Sequence, residues 1–339
     1  MYFGRLTHVF MSISEIAKHL KVSKSTVSLV INGKAEQGRI SKASAKRILD
    51  YIDEIGYKPN ALAKSLATGK SRTIGLIVEN IGDSFFGPIA LYIEEYLRKY
   101  EYQVLYSSTL GKNDIASEVV QTMMDKHVDG IILAPTDKQE FDVQRIIKQN
   151  IPLVVFDRKI PEIDTNYVGT DNYQASRNAV EYLIDQGYKH IGLITIPSGQ
   201  PQMLDRFQGY SDAIEQKKLK PYVLRTSFIE KDDRPAVVIG KWLQDNPQVD
   251  ALYFSTNYVC VAGLKAIKNL KNKRSVGIMA FDDHEIFELV EPQVSCVRQP
   301  LEKIAEQVVG MLVRQLKDKG APLEEKIIPA ELIVRKNQK

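Results

Sequence analysis

Residues 14–32 read SEIAKHLKVSKSTVSLVIN, and this stretch decides the fold of the N-terminal part of the chain. Ile16, Ala17 and Leu20 fall at helical spacing, and Val27, Val30 and Ile31 repeat that spacing after a break. Between the two runs Lys21-Val22-Ser23 supplies a turn, with Ser23 placed to cap the second helix by accepting a backbone N–H. Two helices this short cannot bury a core alone, so a third element must pack on them.

Working outward, the third helix starts at Ser41 and places Ala45, Ile48, Leu49, Ile52 and Ile55 on one face before Gly56 ends it. The expected head core includes Ile16, Leu20, Val27, Ile48 and Ile52. Asn60 through Leu66 is a run of good helix formers with an N-cap at Asn60, too short to be stable alone, and Thr68-Gly69-Lys70-Ser71 reads as a linker. Residues 1–10 fit no element. They are expected to be a disordered extension, or to lie ahead of a true start at Met11.

Charge sets the head apart. Residues 11–72 carry twelve Lys/Arg against five Asp/Glu, a net of +7, whereas residues 73–339 hold a net of −4 within a chain whose total is +4. A compact basic head on a mildly acidic body points to a polyanion as the partner of the head. Cys260 and Cys296 match no metal or redox spacing and sit in apolar stretches, which predicts packed, reduced thiols. The absence of an apolar run near 18 residues and of a cleavable leader in MYFGRLTHVF predicts a cytoplasmic protein with no membrane partner.

From Thr73 the chain alternates strand and helix. Strand candidates are 74–78, 104–107, 130–134, 153–157, 167–169, 191–196, 222–225, 251–254, 276–281 and 295–297, with helical stretches such as 86–100, 115–125, 172–186, 203–216, 258–270 and 301–316 between them. Continuous apolar strands separated by amphipathic helices predict parallel sheets covered on both faces, arranged as two doubly wound α/β subdomains. Such sheets bind ligands in the loops at the C-terminal ends of their strands.

The segments VSKSTVSLVING (22–33) and EIGYKPNALAKSLATGKSRTIGLIV (54–78) resemble the DNA-binding head and hinge of the lac repressor (LacI/GalR) family of bacterial regulators, and the resemblance runs from Met11 to the C-terminus. It implies a helix-turn-helix domain over 11–59, a hinge helix and linker over 60–72, and a periplasmic-binding-protein-like body over 73–339. The body would divide into an N-lobe (about 73–170 and 298–328) and a C-lobe (about 171–297 and 329–339), with crossings near Asp171, Arg298 and Pro329.

By the same resemblance Lys24, Ser25 and Leu29 occupy base-reading positions in the major groove of operator DNA. Ser14, Ser23, Thr26, Ser28 and Asn32 are placed for phosphate contacts, which position a head without specifying sequence. Leu29 departs from the arginine often found there; it cannot bond guanine bidentately but can touch a thymine methyl, which implies an altered operator. Leu66 matches the leucine that the family wedges into the minor groove from paired hinge helices, with Asn60 capping that helix.

In the body, Phe85, Phe86, Asp157, Arg158, Arg206, Asn257 and Asp282 match effector-binding positions, a donor and acceptor set suited to a sugar-like small molecule. Asp83-Ser84 replaces the usual Asn-Pro, and Tyr258 replaces an acidic residue, so the effector of another member does not transfer. The resemblance further implies a homodimer. No added leucine-heptad helix follows Arg335, so a dimer is expected over a tetramer.

A solute-binding or sugar-processing protein could use the same body. Neither requires a basic three-helix head, and the sequence offers no phosphate loop, clustered histidines or Cys–His arrangement for catalysis, so no enzyme, metal or cofactor is expected.

Overall fold

The computed structural model describes residues 11–57, 68–227, 233–270 and 275–335. The chain divides into two compact units, residues 1–71 and 72–339. The proposed hinge residues Asn60 and Leu66 lie outside the described residues.

The first unit contains α1 (Ile13–Leu20), α2 (Lys24–Ile31) and α3 (Lys42–Glu54). Its core is small: Ile16, Ala17, Val27, Val30 and Ile48 are buried, and Leu20, Ile31 and Ile52 pack against them half-buried. α1 begins earlier than the sequence pattern suggests. Ser12 is its N-cap, accepting from Glu15 N while the Glu15 carboxylate accepts from Ser12 N at 2.6 Å. This reciprocal capping box satisfies two otherwise orphaned donors. Ser23 caps α2 through a bond from Thr26 N, and Ser41 caps α3 through one from Ser44 N. Arg47 on α3 donates to Leu20 O, anchoring a cation at the C-terminal end of α1. Leu49 is a correction to the expected apolar face of the third helix: it is 49% exposed, because it lies about 100° round the helix from the buried Ile48.

The second unit holds two six-stranded sheets of matching design. The first takes β1 (Thr73–Val78), β2 (Gln103–Ser108), β3 (Gly130–Leu133), β4 (Leu153–Phe156), β5 (Asn166–Thr170) and β11 (Glu325–Ile328), in the order β11-β5-β4-β3-β1-β2, all parallel. The second takes β6 (Ile191–Thr195), β7 (Tyr222–Arg225), β8 (Ala251–Phe254), β9 (Gly277–Phe281), β10 (Ser295–Arg298) and β12 (Glu331–Ile333), in the order β12-β10-β9-β8-β6-β7, with only β12 antiparallel. Strands β1, β3, β4 and β5 are buried almost throughout, as are β6, β8 and β9, which explains their continuous apolar runs.

Each sheet has an apolar layer on both faces. Helices Phe86–Arg98 and Leu301–Lys317 cover one face of the first sheet, and Asn113–Asp125 with Glu140–Lys148 cover the other. Helices Asn172–Asp185 and Pro201–Gln216 cover one face of the second, and Arg234–Asp245 with Asn257–Lys268 the other. Cys260 and Cys296 are free and buried in this second lobe, where burial raises both thiol pKa values.

The chain passes between the lobes three times: after β5, after β10, and between β11 and β12. These three segments are tied together. The Asp171 carboxylate accepts from Ala330 N at 2.9 Å, and Thr170 Oγ1 donates to Gln299 Oε1.

Candidate functional site

Strand ends build the site. Asp157 follows β4, the fourth strand in sequence of the first sheet, and Asp282 follows β9, the fourth of the second; both adopt left-handed backbone, with φ of 64° and 67°. That conformation turns each carboxylate off the end of its strand, and aspartate tolerates it better than bulkier residues do. Arg158 adjoins Asp157, with Nε 3.5 Å from its Oδ2, donates to Pro135 O, and pairs with the Glu79 carboxylate just beyond β1. Burial, partly offset by Arg158 and Arg206, raises the Asp157 pKa to about 6. Asp83 is likewise raised, chiefly by burial, even though its carboxylate accepts from Phe85 N at 2.7 Å.

Arg206, on helix Pro201–Gln216, is 4% exposed and has partners on several sides. Its Nε donates to Asn172 Oδ1 and its Nη1 to Ser255 O, each at 2.8 Å. The guanidinium also meets Asp282 at 3.3 Å and stacks over the Phe281 ring, 3.6 Å from its centroid. Gln299 completes a circuit, because its Nε2 donates to Asp282 at 2.7 Å while its Oε1 receives Thr170. Asn172 donates to Thr170 O and so joins the circuit to the first crossing. Arg206 and Asp282 are thus hydrogen-bonded, through Asn172 and Gln299, into two of the three interlobe segments.

Asn257 opens helix Asn257–Lys268 and is almost fully buried. Its Nδ2 donates to Ser84 Oγ at 2.9 Å, a bond from one lobe to the other, and to Asp283 O at 3.0 Å. Next to it, burial pushes the Tyr258 hydroxyl up to about 12, so it stays protonated.

The body thus brings Asp157, Arg158, Arg206, Asn257 and Asp282 together, with Phe85 half-buried nearby. Phe86 is a correction: it turns into the N-lobe core, 6% exposed and edge-on to Phe156, so its ring is spent on packing. Sequence reading missed Glu79, Asn172, Ser255 and Gln299. Glu79 lies at the end of β1, and its partner Arg158 is 79 residues away, so no local pattern joins them.

In the head, Lys24 and Ser25 stand exposed in the first turn of α2. Leu29 is only half-buried, and its Cδ1 lies against Gly38, where even a Cβ would meet it at 2.6 Å. Ser14 sits half-buried within α1 rather than at its cap. Ser23 and Thr26 share a hydroxyl bond of 2.8 Å, and Asn32 Nδ2 donates to Ser28 O, also at 2.8 Å. These polar groups are pre-oriented at the two ends of α2.

Residues 74–320 match the periplasmic binding protein domain, and residues 12–60 match the bacterial regulatory proteins of the lacI family. The chain belongs to the lacI family of bacterial regulatory proteins. A ribose operon repressor of Halalkalibacterium halodurans is 29% identical over 331 residues, covering 97% of this chain and 97% of that protein. Catabolite control protein A of Priestia megaterium is 26% identical, covering 90% of this chain and 92% of that one. Among solved structures, the lac repressor dimer bound to operator and the anti-inducer ONPF superposes with a TM-score of 0.84 over 97% of this chain and 99% of that one, at 18% identity, a likeness of fold. As a lacI-family regulator the chain carries its DNA-binding head at the N-terminus. Among the described residues no helix is long and apolar enough to cross a membrane, and no His/Cys/Asp/Glu group is arranged to hold a metal ion.

Proposed function

We propose that this regulator is a cytoplasmic transcriptional repressor, without catalytic activity, whose hold on operator DNA is set by a sugar-like ligand bound between the two lobes of its body. The observation that carries this reading is the hydrogen-bonded circuit Arg206–Asn172–Thr170–Gln299–Asp282, which links ligand-facing groups to the interlobe segments. A ligand that prefers one lobe arrangement shifts the population toward it, and the coupling equals its difference in affinity for the two states. Asp157, Arg158, Arg206, Asn257 and Asp282 supply donors and acceptors for hydroxyl groups, with Phe85 available to a sugar face.

On the DNA side, Lys24, Ser25 and Leu29 read bases while Ser14, Ser23, Thr26, Ser28 and Asn32 hold phosphates, and Leu66 enters the minor groove. The net +7 of residues 11–72 supports the assignment of DNA to this end of the chain. Homodimerisation is supported by apolar side chains left exposed on the body, Leu91 on helix Phe86–Arg98 and Val237 and Val238 on helix Arg234–Asp245.

An operator-shift assay on the promoters flanking the gene, at two salt concentrations, tests the reading. Sequence-specific binding should weaken steeply with salt as counterions are released. Absence of specific binding at low salt, with and without sugars, would remove the repressor assignment.

A further inference from the structure

The cleft holds an unequal set of charges. The groups acting on Asp157 are Arg158, Arg206, Asp282 and Glu79, and those acting on Asp83 are Asp282 and Glu79. Four carboxylates thus share the site with two guanidinium groups. Both guanidinium groups already have anionic partners: Arg206 meets Asp282, and Arg158 meets Asp157 on one side and Glu79 on the other. Glu79 is the carboxylate most open to solvent in these pairs, its side chain 36% exposed against 10% for Asp157 and 13% for Asp282, so it can be altered with the least disturbance to packing.

A phosphate or carboxylate on a ligand would need a cation to replace the water it leaves behind, and in a partly dry site an unmatched anion is repelled by its neighbours. Here Arg158, the guanidinium nearest the end of β1, is claimed by Glu79. Hydroxyl groups face no such barrier, since each can donate to a carboxylate and accept from an amide or guanidinium.

We infer that Glu79 is a specificity-determining residue that, by neutralising Arg158, restricts the effector to uncharged polyhydroxylated molecules and rejects phosphorylated sugars. The inference rests on the cleft being the ligand site and deepens that reading. Discrimination of this kind comes from repulsion of the wrong ligand as much as from attraction of the right one.

The test uses the full-length protein and its Glu79→Gln variant, titrated calorimetrically with D-ribose, D-fructose and cellobiose, then with ribose 5-phosphate and fructose 1-phosphate, with inorganic phosphate as the ionic control. Melting temperature and operator affinity confirm that the variant is folded. The wild type should bind at least one uncharged sugar and bind its phosphate ester at least roughly tenfold more weakly. Glu79→Gln should narrow that gap by roughly tenfold or more, because it removes one of the two carboxylates that meet Arg158 and leaves its charge only partly matched. A phosphate ester that binds the wild type more tightly than its parent sugar overturns the inference and leaves the ligand reading standing. Unchanged selectivity in Glu79→Gln overturns the role of Glu79. Silence from both series in both proteins overturns the ligand reading itself, and the inference with it.

Discussion

Asp157 carries a stability cost that its position in the cleft explains. Its folded pKa of about 6 lies above the usual carboxylate value of 3.8, so between those limits the folded state keeps a proton that the unfolded chain has released. The associated stability is fully present below about pH 4 and lost as pH rises through 6, at a cost on the order of 2–3 kcal/mol at neutral pH. Asp157→Asn should remove that cost. Asparagine also tolerates the left-handed backbone at this position. Thermal melts of the unliganded protein should show the variant more stable than wild type at pH 7.5 and level with it at pH 4; a variant less stable at pH 7.5 would show that the charge, not its burial, is what the fold uses. At this scale the sequence was a partial guide. The positions of Asp157 and Asp282 were legible because they follow apolar strands, whereas Arg206 lies within a helix and was marked only by the family resemblance. The roles of adjacent Phe85 and Phe86 were not, since sequence alone does not say which ring of a neighbouring pair turns inward.

Among elements, the head was legible because its three helices each show a 3.6-residue repeat and a serine at the N-cap of α2 and α3. The Ser12 cap is not marked by the apolar repeat of α1, whose buried positions begin four residues later at Ile16. β11 and β12 were absent from the expected strands for a physical reason: they lie at sheet edges, are four and three residues long, and have only exposed and half-buried positions in place of a buried apolar run. The head also has little stability to spare. Ile48 is fully buried in a core of five buried residues, and Ile→Ala in such a site costs about 2–5 kcal/mol, comparable with the whole stability of a domain this small. Ile48→Ala should therefore abolish specific operator binding while the melting of the body, which has cores of its own, is unchanged. Full operator affinity in that variant would show that the head draws its stability from elsewhere.

For the whole molecule, two similar lobes of the same strand order are joined by three segments, and the circuit through Gln299 binds Arg206 and Asp282 to two of those segments. The doubly wound architecture was legible from the regular alternation of strand and helix. The circuit was not, because it joins residues 170, 172, 206, 282 and 299, which only the folded chain brings together. Arg206 is its most connected member, meeting Asn172, Ser255, Asp282 and Phe281. Control of DNA binding by the cleft can be read in operator affinity, measured by fluorescence anisotropy with and without a saturating sugar, for the wild type and for Arg206→Ala. The sugar should change wild-type affinity by roughly tenfold or more, the range of ordinary allosteric coupling, and Arg206→Ala should bind the operator but no longer respond. Equal responses in the two proteins, or none in a wild type shown to bind the sugar, would contradict control by the cleft.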